Sequence, residues 1–257
     1  MNRETTGRFF ITGCQRSGTT LLRLVLECHP DVFCFDELTA YGVLARGDFT
    51  LPPGKRLAGF KIPRWTEQLA DDVCRDADHP ETARRFYRGE PILLLVRDVR
   101  DAVASMMRLK MTEQQSWVEF CARPILEARL RDDEAFRRRW SAEIDLLRRS
   151  GDAPATLGAF YWKYKTQAYF DHRRRGWPVL LVRYERLVHD PERALRRVVR
   201  FLGLEWDPRL LEHPRLPHPE VYPTTGLAVG NTDPRRAIDS GSVGVWRNVL
   251  TPEETRQ

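Results

Sequence analysis

The 257-residue sequence has no apolar run long enough to cross a bilayer. Its longest runs, such as Ile92 to Val96 and Val179 to Val182, fall far short of the roughly 20 residues a spanning helix needs. They have the length of strands instead. Nothing at the N-terminus has the make-up of a secretion signal, because Met1 to Arg8 carries both Arg3 and Glu4 and leads only into the short run Phe9 to Ile11. A cytoplasmic protein without a membrane span is expected. Paired cysteines are missing too. Cys14, Cys28, Cys34, Cys74 and Cys121 are odd in number, widely spaced and outside any CxxC or Cys/His cluster, which speaks against a disulfide scaffold or a zinc site and for a reducing compartment. No Gly/Ser/Pro-rich linker divides the chain, so a single domain over residues 1–257 is expected.

Lysine is scarce: there are five, against 37 arginines. The formal charge of +6 suggests an anionic partner. Runs such as Arg137-Arg138-Arg139 and Arg173-Arg174-Arg175 are interspersed with Asp132, Asp133, Glu134, Glu143 and Asp145, and no aromatic-rich stacking platform accompanies them. Solvated helix faces are the expectation, not a nucleic-acid surface.

What is present is a globular composition, 42% hydrophobic and 30% charged, arranged as strands alternating with helices. Strands are predicted over Arg8–Thr12, Asp31–Phe35, Leu57–Ile62, Pro91–Val96 and Trp177–Tyr184. Helices are predicted over Thr19–Cys28, Thr39–Arg46, Thr66–Arg88 (broken at His79-Pro80) and Asp101–Leu109, and from Asp190 to Leu202. Residues 111–175 read as a helical insertion, and 207–231 as irregular. The fold class expected is α/β: a P-loop-like domain with a mainly parallel sheet flanked by helices.

Gly13-Cys14-Gln15-Arg16-Ser17-Gly18-Thr19-Thr20 lies between the first strand and the first helix. That position suits an anion cradle, in which backbone N–H groups and the helix dipole converge on a phosphate; an ordinary βα turn is the plain alternative. Against G-x-x-x-x-G-K-[ST], both glycines fit and Thr20 supplies the hydroxyl, but Thr19 stands in place of the lysine that serves a triphosphate. Arg16 inside the loop can grip the end of a shorter phosphate chain. Arg97 ends the strong fourth strand and Ser105 follows eight residues on, a pairing that suits a second phosphate. Glu37 follows the second strand and Lys61 ends the third, so both belong at the crevice rim. Asp36 is the nearest rival carboxylate, and a helix-capping role for Glu37 is the plain alternative. His29 reads as structural, and the other histidines form no triad or metal pattern.

The stretch CQRSGTTLLRLVLECHPDVFCFDE resembles the 5′-phosphosulfate-binding region of sulfotransferases that use 3′-phosphoadenylyl sulfate (PAPS), particularly the tyrosylprotein and related bacterial branches. LLLVRDVRDAVASMM resembles that family's 3′-phosphate motif, with Val99 where proline is usual. LVRYERLVHDP and SGSVGVWRNVLTPEE resemble later family segments, the second being a nucleotide-covering loop in which Asp239-Ser240 replace two basic residues, leaving Arg235 or Arg236 to compensate. The resemblance implies that Arg16, Ser17, Gly18, Thr19 and Thr20 hold the 5′ end of PAPS, that Arg97 and Ser105 hold its 3′-phosphate, and that Tyr184 approaches the adenine. It implies that Glu37 is the general base, since Lys61-Ile62-Pro63 lacks the histidine of the small-molecule relatives, and that Lys61 and Arg16 stabilise the leaving group without a metal. An O-sulfotransferase is expected, releasing 3′-phosphoadenosine 5′-phosphate (PAP), with a small-molecule or lipid hydroxyl as acceptor. Trp117, Phe120, Tyr161, Trp162 and Tyr164 either line the acceptor pocket or form helix core. A P-loop small-molecule kinase, against which Thr19 counts, and a non-catalytic nucleotide- or nucleic-acid-binding module are the competing readings.

Overall fold

A computed structural model describes residues 7–37, 39–70, 87–218, 221–222 and 225–256. Strands β1 (Gly7–Gly13), β2 (Val32–Phe35), β3 (Leu57–Lys61), β4 (Ile92–Val96) and β5 (Val179–Arg183) form a sheet in the order β2-β3-β1-β4-β5. Every pairing is parallel. The helices are α1 (Thr19–Glu27), α2 (Ala40–Arg46), α3 (Val99–Arg108), α4 (Arg123–Asp132), α5 (Glu134–Arg139), α6 (Ser141–Arg149), α7 (Pro154–Arg174), α8 (Tyr184–His189) and α9 (Pro191–Phe201).

The chain forms two compact units. The first comprises residues 1–96 and 166–240, and holds the sheet. Side chains alternate across a strand, and the central strands here are apolar on both sides. Phe10, Phe60, Ile92 and Leu94 join Tyr41 and Leu44 of α2 and Trp65 in one buried cluster. Phe9, Ile11, Leu93 and Leu95 join Leu22, Val25 and Leu26 of α1 and Leu195, Val198 and Val199 of α9 in another. A parallel sheet with helices on both faces is therefore the observed architecture, as the alternation of elements predicts. Parallel pairing also puts the carboxyl ends of all five strands on one side of this unit, the side where such sheets bind ligands.

The second unit comprises residues 97–165 and 241–257. It is helical, and aromatic rings fill its interior. Trp117 and Tyr161 meet edge to face at 5.6 Å, and Phe136 packs on Phe160 and Tyr164. Trp117, Tyr161 and Tyr164 are thus core residues, while Phe120 stays exposed. The arginine runs at 137–139 and 173–175 are exposed, as solvated faces should be.

Element boundaries shift where a local contact overrides the hydrophobic pattern. Helix α3 starts at Val99, two residues early, because the Asp98 carboxylate accepts the Arg100 N–H at 2.9 Å and caps it. Val99 then occupies the first helical position, where proline is favoured but not required. Helix α8 fills the interval between β5 and α9, which the pattern leaves without an element. Within Thr66–Arg88 only the short turn Gln68–Ala70 follows Pro63–Trp65; residues 71–86 of that predicted helix lie outside the described residues, as does Cys74.

Candidate functional site

Strand β1 ends at Gly13, whose φ of +123° and surroundings admit no side chain: a Cβ there would lie 2.2 Å from the Leu95 carbonyl oxygen of β4. Its N–H donates to Thr66 Oγ1 at 2.9 Å, which ties the start of the loop to the segment after β3. Arg16 is left-handed at φ 67°, and Gly18 at φ 93° leads directly into α1. The loop is held from a distance as well. Arg16 Nη1 donates to the Gly230 carbonyl at 2.7 Å, and Thr20 Oγ1 to the Val229 carbonyl at 3.2 Å.

The first N–H groups of a helix have no intrahelical partner, and they carry the positive end of its dipole. Ser17 lies at that end, wholly buried, and its hydroxyl has no hydrogen-bond partner among the described residues. A buried polar atom left unpaired is costly in a finished structure, so this one marks a place for a ligand oxygen. Ser17, Gly18, Thr19 and Thr20 therefore form a cradle whose chemistry fits an anion, with Arg16 at its rim. Tyr184, the first residue of α8, packs its ring against Gly18.

Beside the loop, at the ends of β2 and β3, lies a cluster of alternating charge. Lys61 Nζ, 1% exposed, donates to Asp36 Oδ1 at 3.0 Å and to Glu37 Oε2 at 2.8 Å. Arg23 Nε of α1 lies 3.0 Å from Asp36 Oδ2, and its Nη1 lies 3.0 Å from Glu27 Oε2. His218 Nδ1 meets that same Glu27 oxygen at 3.0 Å. Tyr41 of α2 donates its hydroxyl to Glu37 Oε1 at 3.2 Å. Burial pushes the Lys61 ammonium towards neutrality, but Glu37 and Asp36 overcome it and hold the lysine charged, above its ordinary value. The two carboxylates are not equivalent: Asp36 is sealed, whereas the Glu37 side chain is 14% exposed. Of the two candidates for a base, Glu37 is the one that a substrate can reach. Tyr41 and Lys61 take up two of a carboxylate's four lone-pair sites.

In the second unit, Arg97 is the residue that follows β4. Its guanidinium donates to the Ser242 carbonyl, and its own carbonyl accepts the Trp162 indole N–H at 3.0 Å. Asp98 binds Arg100, and Asp101 accepts from the N–H groups of Gly244 (2.8 Å) and Trp246 (3.1 Å). The Arg100 guanidinium lies 4.3 Å over the Trp246 ring. Ser105 is partly exposed on α3 but sits at its seventh residue, not in its first turn, because the helix begins early. In the first unit, Arg235 pairs with Asp233 and Arg236 with Asp239.

The first unit thus brings together Arg16, Ser17, Gly18, Thr19, Thr20 and Tyr184, and joins Glu37 to Lys61. Sequence reasoning missed Arg23, Tyr41 and Thr66. Arg23 and Glu27 stand four residues apart on α1, so helical spacing carried a signal for that pair. His29 is structural as predicted, its Nε2 at 3.0 Å from the Glu205 carbonyl. Among the described residues there is no group of three or more His, Cys, Asp or Glu side chains placed to hold a metal, and no helix is long and apolar enough to cross a membrane.

Two family models match this chain: one described as "Sulfotransferase family" over residues 8–90 and one described as "Sulfotransferase domain" over residues 91–257. A putative protein-tyrosine sulfotransferase of Caenorhabditis briggsae is 25% identical over 236 residues, covering 82% of this chain and 71% of that one. Protein-tyrosine sulfotransferase 2 of Gallus gallus is 27% identical over 231 residues, covering 80% of this chain and only 54% of its own length. Among solved structures, the sulfotransferase domain of the curacin biosynthetic pathway aligns with TM-score 0.59 at 16% identity, over 97% of this chain and 95% of that one. Mouse sulfotransferase SULT7A1 complexed with PAP aligns with TM-score 0.51 at 17% identity, over 99% and 82%. Those two likenesses speak for the fold, and the family models for the lineage: this chain belongs to the sulfotransferase family of transferase enzymes.

Proposed function

We propose that the chain transfers the sulfonate group of PAPS to an acceptor hydroxyl, with Glu37 as general base. The observation that carries this reading is the lysine shared by a sealed and an accessible carboxylate, at the carboxyl end of the sheet whose first strand feeds the anion cradle. When bound, PAPS supplies the sulfonate and departs as PAP, the nucleotide named with the mouse structural neighbour.

Ser17, Gly18, Thr19 and Thr20 would hold the 5′ end, and the partnerless Ser17 hydroxyl is the feature that fits it. Arg97 and Ser105 would hold the 3′-phosphate, and Tyr184 would border the base. Glu37 takes the acceptor's proton on a carboxylate oxygen, a contribution of about 10²–10⁴-fold for general-base catalysis. Lys61 and Arg16 supply fixed positive charge where the leaving oxygen becomes negative. Tyr41 and Lys61 hold Glu37 at both oxygens, which fixes its orientation before any acceptor arrives.

For the acceptor, the names of the matched relatives favour a tyrosine phenol over the small-molecule or lipid alcohol expected from the sequence. The test is transfer of labelled sulfate from PAPS to a panel holding tyrosine peptides, simple phenols and lipid alcohols, with Glu37→Gln as control. Transfer to the peptides that disappears in the variant supports the reading. PAP binding without transfer to any acceptor, or transfer unaffected by Glu37→Gln, refutes it.

A further inference from the structure

Strand β5 ends the sheet order, so one of its edges pairs with no other described strand. The Ile92 N–H donates to the Pro178 carbonyl at 2.8 Å, and the parallel register then turns the N–H and C=O groups of Leu180 and Val182 towards β4. Those of Val179, Leu181 and Arg183 point outwards. A strand edge in this state is a template for another chain. Against it lies a groove of about 730 Å³ that touches every residue from Leu180 to Arg183, with Tyr169 of α7 on one side and α8 and α9 on the other.

The two walls differ in chemistry. Val179 and Leu181 pack with the cluster that holds Ala168 of α7, whereas Leu180 and Val182 pack with the one that holds Leu195 and Val198 of α9. On the α7 side the Tyr169 ring lies 5.3 Å from that of Phe170, which is 55% exposed. On the other side Arg186 of α8 and Arg193 and Arg197 of α9 are exposed, and among the described residues their guanidiniums have no carboxylate partner. Glu185 and Asp190 also line the groove, but Asp190 caps α9 by accepting the Arg193 N–H at 3.3 Å. Arg183 makes the arginines four, and the groove is basic. Successive side chains of a strand point to opposite faces, so a chain laid along β5 would offer one alternate set to the aromatic wall and the other to the guanidiniums.

We infer that the free edge of β5 is a docking groove for an extended acidic polypeptide, which adds a sixth strand to the sheet and sends alternate carboxylates to the arginines of α8 and α9. A nucleic acid or a lipid headgroup would satisfy the arginines but not the row of outward N–H and C=O groups, which a polypeptide backbone matches. A second copy of this chain has the backbone but the wrong charge, because pairing β5 with β5 would bring both sets of arginines together. None of the residues given a role in sulfonate transfer lines this groove, so the inference stands whichever hydroxyl is the acceptor.

The test is fluorescence anisotropy of the whole chain with a labelled peptide of about ten residues in which Glu and Val alternate, beside an isomer of equal charge with its Glu residues clustered at one end. The alternating peptide is expected to bind at least about tenfold more tightly than the isomer. Arg193→Glu/Arg197→Glu should weaken it by about tenfold or more, with the denaturation midpoint in place, and the milder Arg193→Gln/Arg197→Gln should act in the same direction. N-methylation of one alternate set of peptide amides should abolish binding, and methylation of the other set should be tolerated, since only one set faces the edge. No binding of the peptide, equal binding of the two isomers, or indifference to methylation of either set overturns the inference. So does binding of single-stranded DNA or phosphatidylserine vesicles in preference to the peptide, which would make the arginines a general anion surface.

Discussion

The ring of Tyr184 occupies the space a side chain at Gly18 would need: a Cβ there would come within 2.5 Å of Tyr184 Cδ2. The first residue of α8 thus closes on the last residue of the anion loop, 166 positions earlier in the chain. Gly18→Ala adds a clash to a left-handed backbone at φ 93°. It is expected to destabilise the fold by about 2 kcal/mol and to abolish measurable PAP binding, as read by denaturant unfolding and calorimetry.

Arg97→Ala removes a charged fork from a buried position. Loss of charge-assisted hydrogen bonds to a phosphate corresponds to about 1.5–3 kcal/mol, or roughly 10- to 100-fold in affinity. Calorimetry should show PAP binding weakened by that factor while AMP binding changes little. Equal losses for both nucleotides would take the 3′-phosphate away from Arg97.

Lys61→Met leaves Asp36 and Glu37 side by side without their shared cation. Removing one partner of a buried ion pair costs about 3–5 kcal/mol. The denaturation midpoint should fall accordingly, and turnover should be lost even in the fraction that remains folded.

Acid sensitivity should come first from histidine. Burial lowers His172 from 6.5 to about 4, while its Nε2–H donates to the Thr66 carbonyl at 3.0 Å; burial and the neighbouring His218 lower His213 to about 4. The unfolded chain takes up these protons before the folded one does, so stability is fully present above pH 6.5 and falls as pH drops towards 4. Each shift corresponds to about 3 kcal/mol at most. His172→Gln should flatten the curve of unfolding free energy against pH within that window. Asp36, held below its ordinary 3.8, adds a separate loss only under more acidic conditions.

The strand and helix order was legible because each strand is a short apolar block bounded by Gly, Pro or acidic residues, and because α1 and α9 carry one apolar face each. The glycine loop was legible for the same local reason, since its residues are contiguous. What escaped was the pairing of residues that meet only in space. Asp36 and Glu37 look interchangeable along the chain, and the packing of Arg23 against one of them separates a sealed carboxylate from a reachable one. The start of α3 escaped as well, because the Asp98 cap begins the helix two residues before its apolar pattern does and puts Ser105 at its seventh position. Of the α7 aromatics left open between pocket and core, Tyr161 and Tyr164 are core, since helical spacing alone does not say which face is covered.

Arg16 and Thr20 stand 214 and 209 positions before the residues whose carbonyls they grasp, Gly230 and Val229. A chain emerging from the ribosome can lay down β1 and α1 early, but the fastening of the loop between them must wait until Val229 and Gly230 have been made. Nascent chains halted before residue 229 should therefore carry an unfastened loop, and ligand competence should appear only once that point is passed.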